Sequence, residues 1–398
     1  MTLRRLALLP RDGLFLKDGR GWYTSDIGRS HGHDWPLPPT IRGALRAAWG
    51  RALIQQTGRA LDPKAWDAAT AALALRRVLA LQRPLAAPFA SEHRRWPAPA
   101  DALYVGDRVI RLEPRRPRLG SLGATDDPAV EALWRPHLAT GEAPRKPERA
   151  PRFWPERDLV RWLACEPIAK HGAPEHRALA PVRRSNLHVT LDPSTQAAAE
   201  SMLFSSEVVE PLLRDDRGQV HEWAVGVEIE LPDDAPSLDG ALTLGGRRRL
   251  AHTERLPEDL FEAPEALPER APGLRLLVAT PAHFERGWLP DGFDPTPRPE
   301  DGPYHGRLPG LDAPVLLRAA LVPRPLDLST WDMAQGAPRP TKRLVPAGAV
   351  YFFQRADGRA FGAADLRALW LAAWGGDTRD GLGLVMPGRW DPEPEERA

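Results

Sequence analysis

Apolar positions recur along this chain with two different periods, and each change of period marks an element. Residues 3–9 are dominated by Leu and predict a first strand, followed by a Gly- and charge-rich loop over 11–39. Over about residues 41–56 the spacing becomes three and four. Ile41, Leu45, Ala48, Trp49 and Ala52 then share one helical arc, with Thr40 as the expected N-cap and Gly58 as the stop. A second helix is expected over about 63–82, and a hairpin over 102–112 turning at Gly106-Asp107. Residues 113–152 are rich in Pro, Arg and Gly, which predicts an extended or flexible connection, either a domain boundary or a large insertion; the boundary is placed there, dividing the chain into 1–150 and 151–398. Further strands are expected at 187–191, 222–231, 274–280, 315–322 and 349–354, separated by Pro-rich loops at about 255–272 and 289–314. No fixed-period repeat is evident. Strands interleaved with few helices predict an α+β chain in which the βαββαβ ferredoxin-like unit occurs twice.

The C-terminal pattern is the most specific. Leu366, Leu369, Trp370, Ala373 and Trp374 form one apolar stripe of a helix over 364–374, which Gly375 and Gly376 stop. A turn at 377–380 leads into 381–386, where alternating Gly and Leu predict a short strand with one bare face. Glycine weakens a strand, so Gly381 and Gly383 need a reason. The residues leave two open: close approach of a ligand backbone such as phosphate or ribose, or a bulge and tight packing of the preceding helix.

At 398 residues and 42% apolar, the chain has material for two ordinary domains. Its one cysteine, Cys165, excludes an intrachain disulfide and a cysteine-cluster zinc site, which fits a reducing cytoplasm. Pro10 and Arg11-Asp12 cut off the N-terminal apolar run before a signal-peptide core develops, and no later run approaches spanning length, so a cytoplasmic protein without membrane association is expected. Net charge is +1, but residues 1–118 hold 21 Lys and Arg against 10 Asp and Glu, leaving the remainder acidic. The first third therefore suits a polyanion. Only five basic residues are lysine, in a chain also rich in Ala and Pro, so the positions of the arginines carry more information than their number.

Several positions carry candidate chemistry. Arg42 and Arg46 lie one turn apart near the start of the first expected helix, where positive charge opposes the helix dipole and a bound anion reverses that effect; the other reading is a solvated edge with Arg stems on the core. Arg247 and Arg248 follow Gly245-Gly246 at a hairpin tip and suit phosphate geometry. That glycine pair lacks the Gly-Lys-Ser/Thr ending of a P-loop. His31-Gly32-His33-Asp34 offers three metal ligands, but no further ligand set accompanies it, and no metal or cofactor is expected. His188 sits in a strand without a nucleophile motif around it and reads as an ordinary strand histidine.

Six segments then occur in order: L-L-P-R-D-G-L-F-L-K-D-G-R (8–20), P-P-T-I-R-G-A-L-R (38–46), H-V-T-L-D-P-S-T-Q-A-A-A-E-S-M-L-F (188–204), L-G-G-R-R-R (244–249), S-T-W-D (329–332) with R-P-T-K-R-L-V-P-A-G-A-V-Y-F-F (339–353), and the final D-G-L-G-L-V-M-P-G. The series resembles the third RAMP subunit of type III-B CRISPR (Cmr) effector complexes, across residues 8–390. Arg247 departs from it, since an acidic residue often follows the two glycines there, and 113–152 has no counterpart. The resemblance implies two ferredoxin-like, RRM-related domains with long insertions. It implies a non-catalytic subunit that holds the 5′ repeat-derived tag of the crRNA and links the large palm-domain subunit to the backbone RAMP subunits, meeting target RNA indirectly. On that reading Arg11, Lys17, Arg20, Arg42, Arg46, Arg247, Arg248, Lys342 and Arg343 contact the RNA backbone, and Gly381 and Gly383 let the sugar-phosphate chain pass close by. The alternative is a metal-independent RAMP endoribonuclease that processes precursor crRNA, with His31 or His33 as acid or base.

Overall fold

The computed structural model describes residues 1–18, 29–30, 32–117, 128–138, 146–166, 180–295 and 304–392, with backbone alone at 29–30 and 199–202. Two antiparallel sheets organise these residues. The eight-stranded sheet has at its centre the spatial order Leu250–Arg255, Thr2–Pro10, Val220–Leu231, Ala74–Pro84. Thr2–Pro10 and Ala74–Pro84 run parallel to each other on either side of Val220–Leu231, and the connection between them carries helices α1 (Pro38–Thr57) and α2 (Pro63–Thr70). The six-stranded sheet repeats that order as Val385–Trp390, Gly273–Val278, Val350–Arg355, Val315–Leu321, with the helix Ala363–Leu369 before its last strand.

Charge pairs pin the register of the first sheet. Arg5 and Arg77 lie directly opposite Glu228 on the two neighbouring strands, and Arg83 lies opposite Glu222. Their contacts are 2.8 Å for Arg5–Glu228, 3.5 Å for Arg77–Glu228 and 2.8 Å for Arg83–Glu222, with both carboxylates buried. A slip of one residue would send every side chain to the opposite face and leave these charges buried without partners. In the second sheet alternate residues serve two cores. Leu274, Leu276, Tyr351, Phe353 and Val385 pack on one side with Leu366 and Leu369 of the last helix. Leu277, Val350, Phe352 and Met386 face the core shared with the first sheet. Trp96 meets Trp370 edge-on at 5.4 Å across that shared core. Arg275 lies 2.9 Å from Asp101, both fully buried, and donates to the Trp162 carbonyl at 2.8 Å.

The strand-rich α+β expectation agrees with this architecture, and several local expectations do not. The 150/151 boundary is corrected, because Val220–Leu231 and Leu250–Arg255 pair directly with Thr2–Pro10; by sheet, the division falls after Arg255. The expected helix over 63–82 ends at Thr70, and its second half is the central strand Ala74–Pro84. Residues 78–81 of this strand are apolar and buried on both faces while Arg76 and Arg77 interrupt the pattern before them, so no strict alternation separates the segment from a helix. α1 begins earlier than expected, with Leu37 rather than Thr40 at the N-cap and Pro38-Pro39 in the first turn. Proline has no N–H there to satisfy, so a side-chain cap is not needed. The residues 381–384 are a loop rather than a strand, which starts at Val385.

Candidate nucleic-acid interface

The first strand ends at Pro10, and residues 11–18 turn back across two hairpins. Leu14 exchanges both backbone hydrogen bonds with Val209, at 2.8 and 2.9 Å, and the Gly246 N–H donates to the Phe15 carbonyl at 2.8 Å. Leu14, Phe15 and Leu16 are buried by these contacts, while Arg11 and Lys17 at either end are exposed. The glycines of the tip 244–249 are needed for this approach: a Cβ on Gly245, at φ +78°, would lie 2.9 Å from the Phe15 carbonyl oxygen, and one on Gly246 would lie 2.7 Å from the Phe15 ring.

Beyond the glycines the backbone stays left-handed. Arg247 and Arg248 have φ of +57° and +51°, a conformation that costs a non-glycine residue about 1–2 kcal/mol. Both side chains are thrown outward and exposed. The Arg247 guanidinium sits 5.0 Å over the Phe15 ring, and its Nη1 lies 3.4 Å from His188 Nε2. His188 stacks on Phe204 at 4.9 Å with an interplanar angle of 20°, and its Nε2 lies 2.8 Å from Ser206 Oγ. Arg248 has no hydrogen-bond or ion-pair partner among the described residues. Arg11 Nη2 lies 3.1 Å from His252 Nε2; burial, then the Arg11 charge, push that imidazole below its ordinary value. Phe15 is buried beneath Arg247, and His188 and Phe204 are half-buried and stacked on one another, so the surface presents mainly positive charge.

The structure thus brings Arg11, Lys17, Arg247 and Arg248 into one neighbourhood and sends the other expected residues elsewhere. Arg20 lies outside the described residues, as does His31. Arg42 donates from Nε to the Leu73 carbonyl at 3.0 Å and from Nη2 to the Ala71 carbonyl at 3.2 Å, with Asp380 3.2 Å away. Desolvation lowers its pKa, against the pull of Asp380. Arg46 donates to Thr70 Oγ1 at 3.0 Å and to Asp67 at 2.7 Å. These two arginines tie α1 to the turn that enters the central strand, which corrects the expectation that they are presented to an anion at the helix start. Lys342 and Arg343 lie on the strand Lys342–Leu344 of the C-terminal half, 2.6 Å from Asp377 and 3.3 Å from Asp327 respectively.

Gly381 and Gly383 are buried against protein. At φ +79° and +74°, a Cβ on Gly381 would meet Leu75 Cγ and Val78 Cγ2 at 3.0 Å, and one on Gly383 would lie 1.9 Å from the Trp374 carbonyl oxygen. The close approach that requires these glycines is made by the chain itself, which corrects the expectation of a passing sugar-phosphate backbone. Around them the Leu75 N–H donates to the Arg379 carbonyl at 2.9 Å, docking this loop on the first sheet. Sequence reasoning missed His188 and Phe204 as parts of the basic surface. Period-two alternation puts them on one face of their hairpin, but only the tertiary fold sets that face beside Arg247.

A family model described as CRISPR-associated protein (Cas_Cmr3) matches residues 6–390. Among solved structures the chain is similar to chains in two cryo-EM structures of the Type III-B Cmr-beta bound to cognate target RNA, one of them also with AMPPnP in state 1. Each is 13% identical with a TM-score of 0.43, covering 89% and 88% of this chain and 86% of those chains. No curated protein matches.

Proposed function

From the premise that this chain belongs to the CRISPR-associated Cmr3 family, we propose that it is a non-catalytic RNA-binding subunit of a type III-B Cmr complex. In this reading it holds the 5′ repeat-derived tag of the crRNA and joins the large palm-domain subunit to the backbone RAMP subunits. The observation that carries the assignment is the family match over nearly the whole chain. The repeated strand order fits two ferredoxin-like units, with α1 and α2 in the first crossover of the first and Ala363–Leu369 in the second crossover of the second. RNA is held by the surface of Arg11, Lys17, Arg247 and Arg248, whose guanidiniums and ammonium take the phosphates. Holding needs no proton transfer, so His188 acts as a packing and stacking group.

The test is a salt titration of the full chain with a labelled single-stranded RNA. Replacing both Arg247 and Arg248 by Gln should flatten log K against log salt by about 1.4, two single-strand phosphate contacts. Intact labelled repeat RNA after incubation is expected. Sequence-specific cuts, or an unchanged slope in the double variant, would overturn the reading.

A further inference from the structure

Between the base of the hairpin Arg183–Leu191/Ala198–Val209 and the second sheet lies a cavity of 380 Å³, continuous in its lining with a larger one of 680 Å³. Arg149, Arg152, Arg183 and Asp34 line both. Asp34 is engaged twice: Arg183 Nη2 contacts one carboxylate oxygen, and Arg149 Nη2 lies 3.6 Å from the other. Arg183 is satisfied further by Glu207 at 2.7 Å and the Gly32 carbonyl at 2.9 Å. Arg152 is different. It has no ion-pair partner among the described residues, and its Nε is buried without a hydrogen bond. The Phe153 ring lies 5.4 Å from its guanidinium carbon, and Asp34 acts on it through space without an ion-pair contact.

Three guanidiniums thus share the smaller cavity with a single carboxylate, Asp34, while the larger one adds Asp18, Glu207 and Asp327, and Arg152 is the guanidinium without an ion pair. Arg152 is half-buried and keeps one buried N–H without a hydrogen bond, which costs stability. That cost is relieved when an anion enters from the open side. The walls are small, with Ala98, Pro181 and Ala347 facing the space. They provide no pocket for the large apolar or aromatic anchor that a protein partner would bring, and they let a narrow backbone come close. Asp18 and Asp327 line the far end of the larger cavity, which confines the positive region to the Arg152 end.

We propose that this cleft is a second anion subsite, in which Arg152 and Arg149 take a phosphate group of an RNA backbone at the junction of the two sheets. The proposal rests on the RNA-binding reading above and extends it to residues that lie away from the hairpin tip. A carboxylate from a partner protein is the competing occupant, and the experiment separates the two.

The full chain is titrated with the same labelled single-stranded RNA, as wild type and as Arg152→Gln, Arg152→Lys, Arg149→Gln and the Arg247→Gln/Arg248→Gln pair, with a thermal melt of each. Arg152→Gln and Arg149→Gln should each weaken binding roughly tenfold and reduce the salt slope by about 0.7. Arg152→Lys should keep the slope. Melting of Arg152→Gln should be unchanged or raised, because a half-buried guanidinium with an unsatisfied N–H and no ion pair is removed; a structural arginine would lower it. Should Arg152→Gln fail to fold, Arg149→Gln decides, since Arg149 is 90% exposed. Wild-type affinity and slope in both single variants overturns the subsite, and is the outcome a protein carboxylate would give. If the tip pair alone weakens binding, the RNA reading survives without the cleft. If wild type binds no RNA, both fall.

Discussion

Replacing Gly383 by Ala separates a glycine that serves the fold from one that serves a ligand. In the structure the added Cβ would lie 1.9 Å from the Trp374 carbonyl oxygen, so the two strands of backbone must part by roughly 1.5 Å before ordinary contact is restored. That displacement breaks two hydrogen bonds, Trp374 N–H to the Gly383 carbonyl at 2.8 Å and Gly383 N–H to the Pro281 carbonyl at 2.9 Å. Each contributes about 1 kcal/mol net, and the left-handed φ adds about 1–2 kcal/mol, for a total of about 3–4 kcal/mol. At about 2–4 °C per kcal/mol for a domain of this size, melting should fall by about 10 °C. Gly381→Ala is the matched control. Its Cβ meets the side chains of Leu75 and Val78 at 3.0 Å rather than backbone, and these can shift, so the loss should be about 1–2 kcal/mol. The assay is a thermal melt followed by RNA titration at a temperature where both variants remain folded. Lowered melting in that order, with wild-type RNA affinity, is the expected result. A Gly383→Ala protein that melts with the wild type yet loses RNA would refute the argument and return these glycines to the ligand.

Arg46→Gln and Arg42→Gln should each lower stability by about 1–2 kcal/mol, since both side chains are largely covered and bonded to the turn before the central strand. RNA salt slope should stay unchanged; a reduced slope at unchanged melting temperature would return them to the RNA surface. Burial holds His93 below its ordinary 6.5, with Nδ1 accepting the Ala90 N–H at 3.0 Å, and His252 is lowered in the same sense. A lowered histidine means the unfolded chain takes up its proton first, so its contribution is complete above pH 6.5 and is lost as pH falls toward the folded-state value. His93→Gln should therefore flatten the urea midpoint against pH between about pH 7 and pH 5; an unaltered curve would show that the imidazole is not insulated.

The elements with a single dominant period were legible in the chain. Thr2–Pro10, the body of α1, the hairpin at Gly106-Asp107 and the strands near 222–231, 274–280, 315–322 and 349–354 all follow from local apolar spacing and turn residues. So does the hairpin tip of Arg247 and Arg248, because two glycines followed by arginines mark a turn wherever the chain places it. Partners are another matter. Whether Arg42 meets an anion or the Leu73 carbonyl, and whether the bare face of Gly383 meets RNA or Trp374, depends on residues between 9 and 31 positions away that no local pattern identifies. Pairing of Thr2–Pro10 with Val220–Leu231 moved the domain division past Arg255 for the same reason: strand pairing is decided by burial and charge across more than two hundred residues. Sequence alone determined the strands that follow one local period, which turns carry positive charge and which family the motifs resemble. Only the tertiary structure decided which of those charges are spent inside the protein and which remain to meet something else, because a guanidinium's role is set by what fills its hydrogen-bonding directions.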